Sequence, residues 1–95
     1  MDASKEVSMY FNDKDYAYRV EKGEVFIHFK GTIYVMLCHA VDVSNNRAPE
    51  QVIVYANTDP TDSHVFVRDA REFYSEVDKV KYPDATQKYR FEVYA

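Results

Sequence analysis

The residues best able to carry chemistry in this 95-residue chain are three histidines and one cysteine. His28, His39 and His64 do not stand at a spacing by which proteins hold metal ions, and Cys38 adds no second thiolate. Cys38 and His39 are neighbours in a predicted strand, where successive side chains point to opposite faces, so they do not form a nucleophile and base pair. We therefore predict no metal site, no cofactor and no catalytic residue.

Two further kinds of chemistry are weakly supported. Gly23 and Gly31 are too few to build a glycine-rich phosphate loop, which argues against a nucleotide site of that type. An enzymatic role would use His28 as general acid or base, beside Lys30 or Arg68 as an oxyanion stabiliser. Because the sequence fixes no second titratable partner for His28, a small enzyme is the least favoured function.

A second set of residues combines positive charge with aromatic rings and comes from several strands. Arginine binds oxyanions through paired N–H groups, and tyrosine offers a wall against which a peptide or a base can pack. If these side chains converge, they form a cationic face lined by aromatic rings. The candidate ligand-binding residues are His28, Lys30, Tyr34, Tyr55, Arg68 and Arg90. The alternative is that the tyrosines are half-buried strand residues and the arginines are surface ion-pair partners.

The elements that must position these residues are mostly strands. The densest apolar run spans residues 25–41 and is broken at Lys30-Gly31, where glycine reaches positive φ without a Cβ clash. This run predicts a β-hairpin that founds the core. Alternation in its second strand places Met36 on one face, and Leu37 and His39 on the other.

The rest of the chain continues this pattern. Strands are predicted at 51–56, 64–68 and 89–94, and the 9 Tyr and 6 Phe also favour strands, where aromatic rings pack well. Asp69 is placed to cap a helical turn near 70–77, with Glu72 three residues later to return the hydrogen bond.

These elements predict a mainly β fold: a small SH3-like curled sheet or partly open barrel of about five antiparallel strands, with one short helical turn near 70–77. An OB-type barrel and an α+β sheet with one helix are the alternatives. Residues 1–22 are predicted to form an N-terminal appendage with a short helix and an edge strand from Tyr16 to Val20. Residues 23–95 are predicted to form a single small β-barrel domain.

Composition and charge restrict the partners. The net charge of −4, with both signs interspersed, creates no long-range positive field that would collect nucleic acid. A single cysteine allows no intrachain disulfide, and the longest apolar run is far short of a membrane span. Residues Met1 to Glu6 carry acids and no apolar segment of the kind found in a secretory leader. We therefore expect a cytoplasmic protein without membrane contact, either a monomer or a homodimer formed through an edge strand.

The size of the chain favours a shallow binding face over a deep active-site cavity. Our leading prediction is a non-catalytic binding module whose aromatic and basic face holds a peptide or protein partner. A module that contacts nucleic acid is the alternative.

Several short blocks, in their order along the chain, resemble a bacterial family of unknown function numbered 1653. The resemblance covers about Gly23 to Glu92. The blocks are His28-Phe29-Lys30-Gly31, Tyr34, Val52-Ile53-Val54-Tyr55, Val67-Arg68 before Phe73, Val77-Asp78, Lys81-Tyr82-Pro83 and Gln87-Lys88-Tyr89-Arg90-Phe91-Glu92. It implies a compact single-domain bacterial protein and carries no established activity, cofactor or catalytic residue.

The chain departs from the family pattern at two places. Asp69 follows Val67-Arg68 where the family usually has proline, and an aspartate cap can begin a helical turn there as proline would through its fixed φ. The stretch 57–60 replaces the Ala-Leu-Tyr-Gly-like turn of the family, so a ligand contact made by that turn in the family does not transfer to this chain.

Overall fold

The strands of this protein form one antiparallel sheet in a computed structural model that describes residues 19–44 and 49–94. The elements are β1 (Val25–His28), β2 (Ile33–Asp42), β3 (Glu50–Asn57), β4 (Val65–Asp69), the short helix α1 (Ala70–Phe73) and β5 (Phe91–Val93). The strands lie in the order β4-β3-β2-β1-β5. The prediction of a mainly β fold with about five antiparallel strands is confirmed, and the sheet stays open, with β4 and β5 at its edges.

The β1–β2 hairpin forms as the apolar run predicts. Gly31 adopts a φ of 108°, and its amide donates to the carbonyl of His28 at 2.7 Å. The His28 amide in turn donates to Thr32 O at 2.9 Å. The tip of the hairpin, residues 29–32, is therefore a tight turn that depends on the conformational freedom of glycine.

The predicted alternation of β2 is wrong beyond Met36. A β-bulge lies between Met36 and Cys38, so that Met36 pairs with Tyr55 and His39 pairs with Ile53. The extra residue turns His39 to the same face as Met36, because two residues of the bulged strand oppose one residue of its partner. Leu37 is left 37% exposed.

The core on one face of the sheet is built mainly from aromatic rings. Phe26 is fully buried and contacts the rings of Tyr34, Tyr55, Phe73 and Phe91, with centroids 5.1 to 5.7 Å apart. Helix α1 lays Phe73 parallel to Phe91 at 4.3 Å between centroids. Edge-to-face and offset-stacked pairs of this kind contribute about 0.5–1.5 kcal/mol each beyond the area they bury.

The helical turn is capped as predicted but is shorter than the range 70–77. Asp69 Oδ1 accepts from the amides of Arg71 at 2.9 Å and Glu72 at 3.3 Å. The helix ends at Phe73 because the next residues pair with the segment before β5: Arg90 N donates to Ser75 O at 3.0 Å.

Of the predicted N-terminal appendage, residues 1–22, the structure describes only residues 19–22. The predicted helix and most of the predicted edge strand fall in residues 1–18, outside the described residues. Val20 is fully buried in the same core as Phe26. Within the described ranges, no helix has the length and apolar character needed to cross a membrane.

Candidate functional site

The register of the sheet brings several candidate residues to its core face. His28 lies opposite the buried Phe91, and Arg68 lies opposite the buried Ile53. Residues directly opposite each other in antiparallel strands share a face. The candidates that the pairings place on the core face are His28, Tyr34, Tyr55 and Arg68.

Beside this aromatic core lies an open cleft of about 340 Å³ that we call the cationic cleft. Its lining residues are His28, Phe29, Lys30, Thr32, Tyr34, Arg68, Tyr82, Arg90 and Phe91. Five of the six candidate residues are among them. Tyr55 is the exception: it is 4% exposed and belongs to the core. That these residues bind a ligand stays a prediction.

Arg68 is held in the cleft by three contacts of different kinds. Its Nε donates to the hydroxyl of Tyr55 at 3.2 Å, and its Nη1 donates to Glu72 Oε1 at 2.7 Å. Its guanidinium carbon lies 5.3 Å from the centroid of the Phe91 ring. Tyr55 therefore contributes to the site indirectly, because it fixes the position of Arg68 from the core side.

Glu72 joins the two arginines of the cleft. The same Oε1 accepts from Arg90 Nη1 at 3.1 Å. The carboxylate of Glu72 thus bridges Arg68 and Arg90. The sequence instead predicts that it returns a hydrogen bond to the cap residue Asp69. Among the described residues, Glu72 is the carboxylate within ion-pair distance of these arginines, while Lys30 brings a third positive charge to the cleft.

His28 is neutral at pH 7. Burial, and then the positive charges of Arg68, Lys30 and Arg90, lower its pKa from 6.5 to about 4. Its Nδ1 accepts from the backbone amide of Lys30 at 3.1 Å. A neutral imidazole that accepts at one nitrogen carries its proton on the other, so Nε2 is the donor.

Lys30 lies against Tyr82, a residue of the loop that follows α1. Its Nζ is 5.1 Å from the centroid of the Tyr82 ring. A hydrogen bond from Lys30, with the charges of Lys30 and Lys81, lowers the pKa of the Tyr82 hydroxyl. Tyr82 also meets Phe29 edge to face at 4.9 Å between centroids. These contacts make Tyr82 part of the wall of the cleft.

Sequence reasoning missed Glu72 and Tyr82 as members of the site. Glu72 stands four residues after Arg68, the spacing of an ion pair within a helix, although Arg68 lies in β4 and precedes α1. Tyr82 is the middle residue of the Lys81-Tyr82-Pro83 block on which the family resemblance partly rests. The sequence therefore marks both residues, but it does not show which residues from other strands they contact.

The same residue types meet elsewhere, in a region that we call the Tyr74 corner: Arg19, Val20, His39, Tyr74 and Tyr89. The Tyr74 hydroxyl donates to Val20 O at 3.1 Å and lies 2.9 Å from His39 Nε2. Arg19 Nη2 donates to Tyr74 O at 2.8 Å, and its guanidinium carbon lies 3.6 Å from the Tyr89 centroid. Burial lowers the pKa of His39 as well.

A bound metal ion would require a cluster of ligand side chains in the described part of the chain. Across residues 19–44 and 49–94, no three His, Cys, Asp or Glu side chains gather closely enough to hold a metal ion. Cys38 is a free, half-buried thiol.

Comparison with known proteins agrees with the resemblance seen in the sequence. The model of a family described as "Protein of unknown function (DUF1653)" matches residues 24–93, a range that includes every residue lining the cationic cleft. No curated protein and no solved structure matches the chain.

Proposed function

The chain belongs to the DUF1653 family of proteins of unknown function, and we propose that it is a non-catalytic module that binds an acidic segment of a peptide or protein in the cationic cleft. The observation that carries this proposal is an imbalance of charge. Lys30, Arg68 and Arg90 line one cleft, and Glu72 is the carboxylate that the described residues set against the two arginines. The protein as a whole carries a net charge of −4, so this local excess of positive charge stands out.

The way the arginines are held supports binding of an anion. Arg68 is fixed by Tyr55, Glu72 and Phe91, and Arg90 by Glu72. A side chain that is already ordered loses little rotamer entropy on binding, a cost that is otherwise about 0.5–1.5 kcal/mol per side chain. Guanidinium groups also suit carboxylates, because they offer N–H donors in a planar fork.

The state of His28 favours binding over catalysis. With a pKa of about 4, His28 is a weak base, and its Nδ1 already accepts the Lys30 amide. Its remaining polar atom is a donor, Nε2–H, which can add one hydrogen bond to a bound oxyanion. His28 therefore suits the role of a recognition residue better than that of a general base.

Size and charge favour a peptide over nucleic acid. A cleft of about 340 Å³ accommodates one side chain or one base, so a strand of nucleic acid would have to gain most of its affinity from neighbouring phosphates. The net charge of −4 opposes that gain. An acidic peptide, by contrast, can gain its affinity from contacts within the cationic cleft alone.

The experiment that tests this proposal compares three probes by isothermal titration at low salt. They are a blocked peptide with one glutamate between serines, the same peptide with glutamine, and an oligothymidine. We expect the glutamate peptide to bind the unmodified protein and the glutamine peptide to bind at least tenfold more weakly, since hydrogen bonds to charged groups contribute about 1.5–3 kcal/mol.

Arg68→Gln with Arg90→Gln should abolish binding of the glutamate peptide. Lys22→Gln, an exposed charge before the other end of β1, is the control and should bind normally. Equal binding of the glutamate and glutamine peptides, or tighter binding of the oligothymidine than of either, would overturn the proposal.

The setting is also a proposal. We propose that the module acts in the cytoplasm of a bacterium, as a monomer or as a homodimer through a sheet edge. The family resemblance supports a bacterial source, and the absence of a cysteine pair supports a reducing compartment such as the cytoplasm. The exposed β4 edge, where Val65 and Val67 are 57% and 64% exposed, supports edge pairing as a route to a dimer.

A further inference from the structure

A second hollow adjoins the cationic cleft. It has a volume of about 310 Å³, and its lining residues are Phe29, Lys30, Lys81, Tyr82, Pro83, Asp84 and Ala85. Phe29, Lys30 and Tyr82 line both spaces. The contacts of Tyr82 with Phe29 and Lys30 therefore lie on the common boundary of the two spaces.

The chemistry of this hollow differs from that of the cleft. Its apolar lining residues include Phe29, Pro83 and Ala85, and neither arginine of the cleft is among its lining residues. Its charged residues are Lys30, Lys81 and Asp84. Two lysines against one aspartate leave the rim mildly positive, which suits an apolar group carried by an acidic ligand.

The loop that forms the hollow is held by its own hydrogen bonds. Ala85 N donates to Tyr82 O at 3.2 Å, which closes a turn with Pro83 at its second position, where the fixed φ of proline fits. Lys79 Nζ donates to the carbonyls of Ala85 at 2.5 Å and Gln87 at 2.7 Å. The hollow is therefore formed before any ligand arrives.

We propose that this hollow is a second subsite, which takes an apolar side chain two residues away from the acidic residue held in the cationic cleft. The inference rests on the proposed function, and it narrows the ligand to peptides of the pattern Glu-x-Phe or Phe-x-Glu, or their aliphatic equivalents. Side chains two residues apart lie on the same face of an extended peptide, about 7 Å from each other. That spacing suits two spaces that share the side chains of Phe29, Lys30 and Tyr82 as a common boundary.

Ala85 offers a way to close the hollow without disturbing the loop. Its hydrogen bonds in the loop are made by backbone atoms, so Ala85→Met keeps them while its side chain fills the space. Val80→Met is the matched control, because Val80 is 95% exposed and lies on the same loop outside both spaces. Neither substitution changes the charge.

The test is a cycle of two peptides and three proteins, measured by isothermal titration. One blocked peptide, the Phe peptide, carries Phe-Ser-Glu-Ser-Phe, and the other, the Ser peptide, carries Ser-Ser-Glu-Ser-Ser, so that both directions of the chain are tested. The unmodified protein and Val80→Met should bind the Phe peptide about tenfold more tightly, as expected for burial of part of an aromatic ring. Ala85→Met should lose this preference while it binds the Ser peptide as well as before.

Each outcome separates the two proposals. If both peptides bind the unmodified protein equally, the second subsite is wrong while the cationic cleft stands. If the preference for Phe survives in Ala85→Met, the aromatic side chain binds elsewhere and the subsite is again wrong. If neither glutamate peptide binds, the proposed function itself fails.

Discussion

Two regions of this sheet each set a neutral histidine beside arginine and tyrosine. In the Tyr74 corner the groups contact one another: Arg19 donates to Tyr74 O and stacks on Tyr89, while the Tyr74 hydroxyl links His39 to Val20. Among the described residues, the buried Arg19 Nε has no hydrogen-bond partner. In the cationic cleft, by contrast, Arg68 and Arg90 share a single carboxylate oxygen of Glu72. A third cation, Lys30, rests on an aromatic ring there.

The difference shows that residue types do not by themselves mark a binding site. What distinguishes the cleft is the balance between donors and acceptors, since hydrogen bonds to charged groups are strong where a matching anion is available. The polar contacts of the Tyr74 corner join residues 19–20 to the core. In the cleft, Lys30, Arg68 and Arg90 outnumber the one carboxylate, Glu72, that the described residues set against the two arginines, and this excess of positive charge is what the proposed function requires.

Substitution of one arginine from each region should separate binding from stability. Arg68→Gln should weaken binding of the glutamate peptide about thirtyfold, equivalent to about 2 kcal/mol, and should also lower the free energy of unfolding, because Arg68 contacts Tyr55, Glu72 and Phe91. Arg19→Gln should leave the affinity unchanged and lower the free energy of unfolding by about 1–2 kcal/mol, since it removes a hydrogen bond and a cation–π contact. Titration calorimetry and urea unfolding measure the two quantities. If Arg19→Gln weakens binding as much as Arg68→Gln does, the distinction between the regions is wrong.

A smaller effect is expected at Glu72, the internal acceptor of the cleft. Glu72→Gln keeps the shape of the side chain and removes its negative charge, so the cleft becomes more positive. We expect the glutamate peptide to bind about threefold more tightly, with a steeper loss of affinity as salt rises, because exposed charges are screened by salt. Weaker binding by this variant would mean that Glu72 serves mainly to position Arg68 and Arg90.

Much of the fold follows from the sequence. Alternating apolar residues and the glycine at the hairpin tip predict the β1–β2 hairpin, and Asp69 predicts the start of α1. The bulge after Met36 is not predictable in this way, because no glycine or proline marks it. It is set by pairing with β3, and it alone brings His39 to Tyr74.

The site is predictable only in part, since its residues meet through the order of the strands. The alternation of β1 puts His28 on the face of Phe26, but nothing local states that β5 pairs with β1 and so brings Phe91 opposite His28. Tyr82 reaches the cleft from a loop whose path depends on those pairings. Long-range contacts of this kind leave no periodic signal in the sequence.

The most direct test of an anion in the cationic cleft is an NMR pH titration of the histidine ring signals, with and without the glutamate peptide. In the free protein His28 should protonate only as the pH approaches about 4, because burial and three positive charges oppose its charged form. A carboxylate held by Arg68, Arg90 and Lys30 offsets those charges, so the peptide should raise the pKa of His28 and leave that of His39 unchanged. If the peptide shifts both histidines equally, or shifts neither at saturating concentration, the cleft does not hold the anion.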